Sequence, residues 1–111
     1  MALDIKPRYR YYSTHMRANL VYWHKARLQG RYTLEMEIYR VAKSSRYPEG
    51  VKYGLILIDS KTGRRVLLDN HHPKGPHIHL DHQEIPYQFV DEETLIQDFK
   101  EIVLVNMEVK I

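Results

Sequence analysis

The sequence predicts an α+β fold, in which an antiparallel sheet of four to five strands forms a meander and a C-terminal helix packs on one face. Apolar and polar side chains alternate in residues 31–41, turn-forming residues separate successive extended runs, and the apolar spacing becomes helical after Phe89. A chain of 111 residues is most simply one domain, residues 1–111, in which all elements share a single core.

Short connections join the predicted strands. The clearest strand is residues 31–41, because Leu34, Met36 and Ile38 alternate with polar side chains and give it one buried and one wet face. Gln29-Gly30 before it is a predicted turn, since glycine adopts a positive φ without steric cost. The predicted extended runs are residues 18–28, 31–41, 51–59 and 64–70, with a short fifth run at 77–80.

The last quarter of the chain predicts a helix. Asp91 is a suitable N-cap, and Glu92 and Glu93 place negative charge at the positive end of the helix dipole. Residues 105–111 fit either an extension of this helix or an edge strand. The residues at helical spacing are Leu95, Ile96, Phe99, Ile102 and Val103.

Charge is unevenly distributed although the net charge is only +3. Residues 1–65 carry 14 Lys and Arg against 5 Asp and Glu, whereas residues 66–111 carry 3 against 9. This asymmetry indicates either a polyanionic partner or two solvated surfaces of complementary charge. Tyrosines lie between basic residues in 7–12 and 21–32, which favours nucleic acid, because such tyrosines can stack on bases beside cations that bind phosphate.

The composition also excludes several classes of protein. The chain has no cysteine, so it forms neither a disulfide framework nor a thiolate zinc site, and any metal would rest on histidine and carboxylate ligands. No apolar run approaches the ~18 residues of a membrane span. We therefore expect a cytoplasmic protein with no membrane partner.

Five of the seven histidines lie in the segment DNHHPKGPHIHLDHQEIPY, residues 69–87. His77 and His79 are two residues apart, so in an extended chain their side chains point to the same side. The segment could therefore form the zinc or manganese site of a metal-dependent hydrolase. Further donors for such a site are Asp69, His71, His72 and Asp81.

Metal-independent RNA cleavage is a second interpretation of the same segment. One group must remove the 2′-hydroxyl proton and another must protonate the leaving oxygen, and histidine suits both roles because its pKa is ~6.5. Lys74 could stabilise the phosphorane charge, and Gly75 would let the backbone approach a phosphate. Tyr87 could orient a base or a phosphate through its hydroxyl.

A third interpretation gives the histidines a structural role in a polar loop, with Asp69-Asn70 forming a turn at the end of a strand. This interpretation suits any single histidine, and we apply it to His15 and His24. It explains the group of five less well, because five histidines within residues 71–82 exceed what a turn requires.

The segment resembles the TumE-type toxins of toxin–antitoxin modules, and the resemblance extends over nearly the whole chain. It implies a small toxin controlled by a cognate antitoxin protein, and it brings no settled mechanism. Pro73 departs from the pattern, which has glycine there, and His71 and His82 fall outside it. The residues that carry the resemblance are Asp69, Asn70, His72, Lys74, His77, His79, Glu84 and Tyr87.

We therefore predict a toxin that acts on RNA as a metal-independent endoribonuclease without a cofactor. The predicted catalytic residues are His72, His77, His79 and Lys74. The predicted substrate-binding residues are Asn70, Arg64, Arg65 and Tyr87, and the supporting residues are Asp69 and Glu84. The alternatives are a module that binds nucleic acid or protein without catalysis and the metal-dependent hydrolase. An exposed sheet edge would also allow a homodimer.

Overall fold

The computed structural model describes residues 9–12 and 16–111, with side chains described from Ala18 onward. One antiparallel sheet contains all described strands in chain order, and a helix follows it. The elements are β1 (Tyr9–Tyr12), β2 (Met16–Leu28), β3 (Tyr32–Val41), β4 (Val51–Asp59), β5 (Arg65–Asp69), β6 (His77–Leu80), β7 (Gln83–Pro86) and α1 (Glu92–Met107). His15 and the side chains of residues 7–12, to which base stacking was ascribed, lie outside the described residues.

The α+β class, the antiparallel meander and the C-terminal helix are confirmed. The predicted number of four to five strands is wrong, because six strands lie between Met16 and Pro86 and the short β1 precedes them. The sequence analysis missed β7, the edge strand that pairs with β6. All four of its residues are exposed, so it lacks the alternation of buried and wet positions that identifies a strand.

Alternation of apolar side chains builds the core. Met36 of β3 lies opposite Leu55 of β4, and Leu55 lies opposite Leu68 of β5, so buried residues form rows across the sheet. The helix packs on this face, and we call it the core face. Helix residues buried against it are Leu95, Phe99 and Val103.

The helix begins and ends at identifiable signals. The Asp91 carboxylate accepts a hydrogen bond from the Thr94 N–H at 2.7 Å, which confirms the predicted N-cap and stabilises the first turn. The helix ends at Met107, and Glu108 takes a left-handed conformation with φ 57°. Residues 105–107 therefore extend the helix, and Val109 folds back into the core. Within the described chain, no helix has the length and apolar character that crossing a membrane requires.

The other face of the sheet, which we call the open face, positions the histidines. Ile78 and Leu80 of β6 pack against the core, so the alternating residues His77 and His79 point to the open face. A second, smaller cluster closes one end of the open face. Its members are Ala18, Leu20, Tyr39, Val41 and Tyr47.

A buried carboxylate stabilises the β4–β5 turn. Asp59 accepts two hydrogen bonds from the Arg31 guanidinium, at 2.8 and 2.7 Å, and a third from the Lys61 N–H at 2.9 Å. The Thr62 hydroxyl donates a fourth at 2.8 Å. The hydrogen bonds from Arg31, above all, hold the pKa of Asp59 well below its usual range.

We expect the Asp59 carboxylate to make the free energy of unfolding depend on pH. Because the pKa of Asp59 is lower in the folded than in the unfolded chain, its contribution is fully present above the unfolded pKa of ~3.9 and disappears as pH falls through the folded value. Asp59→Asn should lower the urea midpoint at pH 7, and its difference from the original protein should shrink below about pH 4. Urea unfolding at pH 7, 4 and 3 measures this; a difference that stays constant would contradict the assignment.

Candidate functional site

Asp69, His77 and His79 form a three-residue cluster on the open face, which we call the Asp69 cluster. Antiparallel pairing of β5 with β6 places Asp69 directly opposite His77, and the two-residue period of β6 brings His79 to the same side. The Nε2 atoms of His77 and His79 are 2.6 Å apart, and Asp69 Oδ1 lies 3.2 Å from His77 Nε2. One ligand atom from each residue lies within 4.8 Å of the others.

The orientation of the His77 ring follows from its second nitrogen. His77 is 7% exposed, and its Nδ1 lies 2.7 Å from the Gly75 carbonyl oxygen. A carbonyl oxygen only accepts hydrogen bonds, so Nδ1 is the donor and carries a hydrogen. In neutral His77 the lone pair is therefore on Nε2, the atom that faces Asp69 and His79.

A carboxylate also lies on the Nδ1 side of the His79 ring. Glu84, the cross-strand partner of His79 on β7, has its Oε2 atom 3.8 Å from His79 Nδ1. The same oxygen accepts a hydrogen bond from Lys74 Nζ at 2.7 Å, which above all holds the pKa of Glu84 below its usual range. Glu84 thus presents negative charge to the outer side of the His79 ring at neutral pH.

The loop between β5 and β6 forms a wall beside the Asp69 cluster. Together they line a concavity of about 300 Å³ that is open to solvent. His72 and Lys74 on this wall are exposed and line the same concavity as the cluster. The structure thus brings all four predicted catalytic residues to one pocket, although only His77 and His79 contact each other.

A hollow in the open face, which the sequence analysis missed, adjoins the cluster. Gly54 lies between Glu37 and Asp69 in one row across the sheet, and no atom lies within 4 Å of where its Cβ would be. The hollow has a volume of about 330 Å³, and burial lowers the pKa of Lys52 at its side. The available signal was the isolated glycine in VKYGLILID, since glycine inside a strand often marks a close approach by a ligand.

Two predicted substrate-binding residues, Asn70 and Tyr87, make hydrogen bonds within the protein. Asn70 is 2% exposed, and its amide group accepts from the Tyr53 N–H and donates to the Val51 carbonyl, at 2.9 and 2.8 Å. Tyr87 donates its hydroxyl hydrogen to Asp98 Oδ2 at 2.6 Å, which raises the pKa of Tyr87 further beyond the effect of burial. Asn70 therefore attaches the end of β5 to β4, and Tyr87 attaches the chain after β7 to the helix.

The two predicted phosphate-binding arginines lie away from the cluster. Arg65 is four residues before Asp69 on β5, which corresponds to ~13 Å along a strand. Arg64 pairs with Asp81 at 3.2 Å, and Asp81 also accepts from the Arg65 N–H at 3.0 Å. Arg64 and Arg65 therefore belong to a separate surface at the far end of β5.

Most described tyrosines are packed in the protein. Tyr32, Tyr39, Tyr47 and Tyr53 are each no more than 8% exposed, so these four offer little surface for a base to stack on. Among the tyrosines for which base stacking was predicted, this applies to Tyr32. Some of the charges behind the charge asymmetry form ion pairs within the protein. Arg40 pairs with Glu92 at 3.0 Å and Arg64 with Asp81, so ion pairs link the basic and acidic parts of the chain.

Comparison with known proteins returns no relative of this chain. No family model, no curated protein and no solved structure matches it. The resemblance to TumE-type toxins stays a prediction that rests on the motif residues. The geometry defines the class of site: two imidazoles and a carboxylate converge at an open pocket beside a lysine.

Proposed function

We propose that this chain is an endoribonuclease that cleaves RNA at the Asp69 cluster, and that it acts as the toxin of a toxin–antitoxin pair in the cytoplasm. One observation carries the proposal. The Nε2 atoms of His77 and His79 and the carboxylate of Asp69 converge at the wall of a solvent-open pocket. Convergent titratable groups in a cleft are typical of active sites.

The spacing of the histidines divides the chemical roles. In cleavage through the 2′-hydroxyl, the attacking and leaving oxygens lie on opposite sides of the phosphorus. His77 and His79 are too close, at 2.6 Å between Nε2 atoms, to stand on both sides of it. We assign the cluster to the side of the attacking hydroxyl, where it provides the basic function.

The loop wall supplies the remaining roles. His72 is exposed on the loop wall of the pocket and is the candidate to protonate the leaving oxygen. Lys74 balances the charge of the phosphate. To do so, its ammonium group leaves Glu84, to which it is hydrogen-bonded, and binds the phosphate of the substrate. A longer RNA strand would extend along β5 toward Arg65.

The test is multiple-turnover cleavage of RNA. Purified protein is incubated with labelled cellular RNA in molar excess, beside a His77→Ala/His79→Ala variant. We expect several turnovers by the original protein and a rate at least ~10²-fold lower for the double variant, the loss typical of removed acid–base catalysis. A DNA strand of matching sequence should stay intact, because it lacks the attacking hydroxyl.

His82→Ala is the matched control, since His82 is an exposed histidine after β6 that lies outside the cluster. It should cleave RNA at the original rate. Induced expression tests the toxin role: the original chain and His82→Ala should arrest growth, whereas the double variant should not. Protection of RNA in stoichiometric amounts without cleavage would overturn the proposal in favour of a binding module.

A further inference from the structure

We propose that the Asp69 cluster is a binding site for one divalent transition-metal ion, with zinc as the best-suited ion. The ligands would be Asp69 Oδ1 and the Nε2 atoms of His77 and His79. This inference concerns the site of the proposed function and replaces the expectation of a site without a cofactor. It does not require RNA to be the substrate, because ion binding can be measured alone.

The hydrogen bond behind the His77 ring favours a cation in front of it. Because His77 Nδ1 donates to the Gly75 carbonyl, the lone pair of neutral His77 on Nε2 faces the Asp69 carboxylate oxygen at 3.2 Å. Two acceptors at this distance repel each other unless a cation lies between them. A proton or a metal ion would remove this repulsion.

His79 adds the second imidazole. In the metal-free cluster a hydrogen on His79 Nε2 can be donated to His77 Nε2 at 2.6 Å, and a bound ion would take the place of this hydrogen. Glu84 lies on the Nδ1 side of the ring at 3.8 Å, where its negative charge would favour a hydrogen on Nδ1 once the ion is bound. The Nε2 lone pair of His79 is then directed toward His77 and Asp69. A ligand histidine in a metal site usually donates its other ring N–H to a carbonyl or a carboxylate. His77 makes this hydrogen bond to Gly75, and His79 has the Glu84 carboxylate 3.8 Å away on the same side of its ring.

The donor set suits zinc, and the ligand atoms, which now lie within 4.8 Å of one another, would need shifts of up to about 1.5 Å to reach zinc geometry. Two imidazole nitrogens and one carboxylate oxygen match catalytic zinc sites, which have three protein ligands and an open fourth position. Zn–N bonds of ~2.0–2.1 Å place tetrahedral ligand atoms about 3.3 Å apart. The Nε2 atoms, now 2.6 Å apart, would therefore separate by less than about 1 Å, which small rotations of the imidazole rings provide.

The pocket lies where the open coordination position would be. His72 and Lys74 line it together with the cluster, so a ligand of the ion would contact the loop wall. A divalent ion there would lower the pKa of a coordinated hydroxyl, which would release its proton to water, and would stabilise charge on a phosphoryl oxygen. With the ion bound, Asp69, His77 and His79 would act as ligands and the ion would activate the hydroxyl in their place.

Isothermal titration with zinc chloride tests the inference on untagged, chelator-treated protein. We expect one ion per chain. His79→Ala should bind at least ~100-fold more weakly. Glu84→Gln, which removes the carboxylate behind His79 and its ion pair with Lys74, should bind about 10-fold more weakly. His82→Ala should bind zinc as the original protein does. Thermal unfolding without metal checks that each variant is folded.

Two results would overturn the inference: no saturable binding by the original protein, or equal affinity in the folded His79→Ala and His82→Ala variants. RNA cleavage in the presence of EDTA separates this inference from the proposed function. Zinc binding with intact RNA would refute the ribonuclease and support the metal site. Cleavage that persists in EDTA would refute the role of the metal and leave the ribonuclease supported.

Discussion

Asp69→Asn should lower the rate of RNA cleavage by about 10²- to 10⁴-fold, which is the typical contribution of general acid–base catalysis. The substitution keeps the size of the side chain and removes its charge. His77 would then face an amide in place of a carboxylate, so neither a proton nor a metal ion on His77 Nε2 would be stabilised by Asp69. The measurement is the single-turnover rate at saturating protein, which separates chemistry from RNA binding.

Asp81→Asn is the matched control for this experiment. Asp81 comes directly after β6 of the same sheet and pairs with Arg64, but it lies outside the cluster. The structure predicts that Asp81→Asn retains the cleavage rate even if the protein becomes somewhat less stable. Equal rates for Asp69→Asn and the original protein would remove Asp69 from the site.

Local patterns in the sequence identified the parts of the fold that depend on neighbouring residues. Residues 31–41 alternate because one face of β3 is buried, and this pattern placed the strand to within one residue. Asp91 was recognisable as an N-cap because capping needs only the next three residues. The short β7 was not recognisable, because it is defined by pairing with β6 and none of its residues is buried.

The candidate site was predictable only in part for the same reason. The spacing of His77 and His79 implied a common side once the segment was extended. That Asp69 completes the cluster depends on the β5–β6 register, which the loop between the strands sets and the spacing does not reveal. Composition likewise could not separate Tyr39 and Tyr53, which are buried, from tyrosines available to bases.

Phe99→Ala should destabilise the protein by about 3–5 kcal/mol, the usual loss for removing a buried phenylalanine, because it leaves a cavity between helix and sheet. Phe99 has no exposed surface and lies in the middle of the buried stripe of α1, between Leu95 and Val103. The helix packs on the core face and the Asp69 cluster lies on the open face, so the substitution tests how far the site depends on the helix.

Urea unfolding followed by circular dichroism measures the loss, and Val105→Ala is the control, since Val105 is on the same helix and 71% exposed. The control should stay within about 0.5 kcal/mol of the original protein. If Phe99→Ala folds at low temperature, we expect it to retain zinc affinity there, because pairing of β5 with β6 positions the ligands. Loss of zinc affinity in a variant that retains the strand signal would show that the helix, and not strand register alone, holds Asp69 and the two histidines in place.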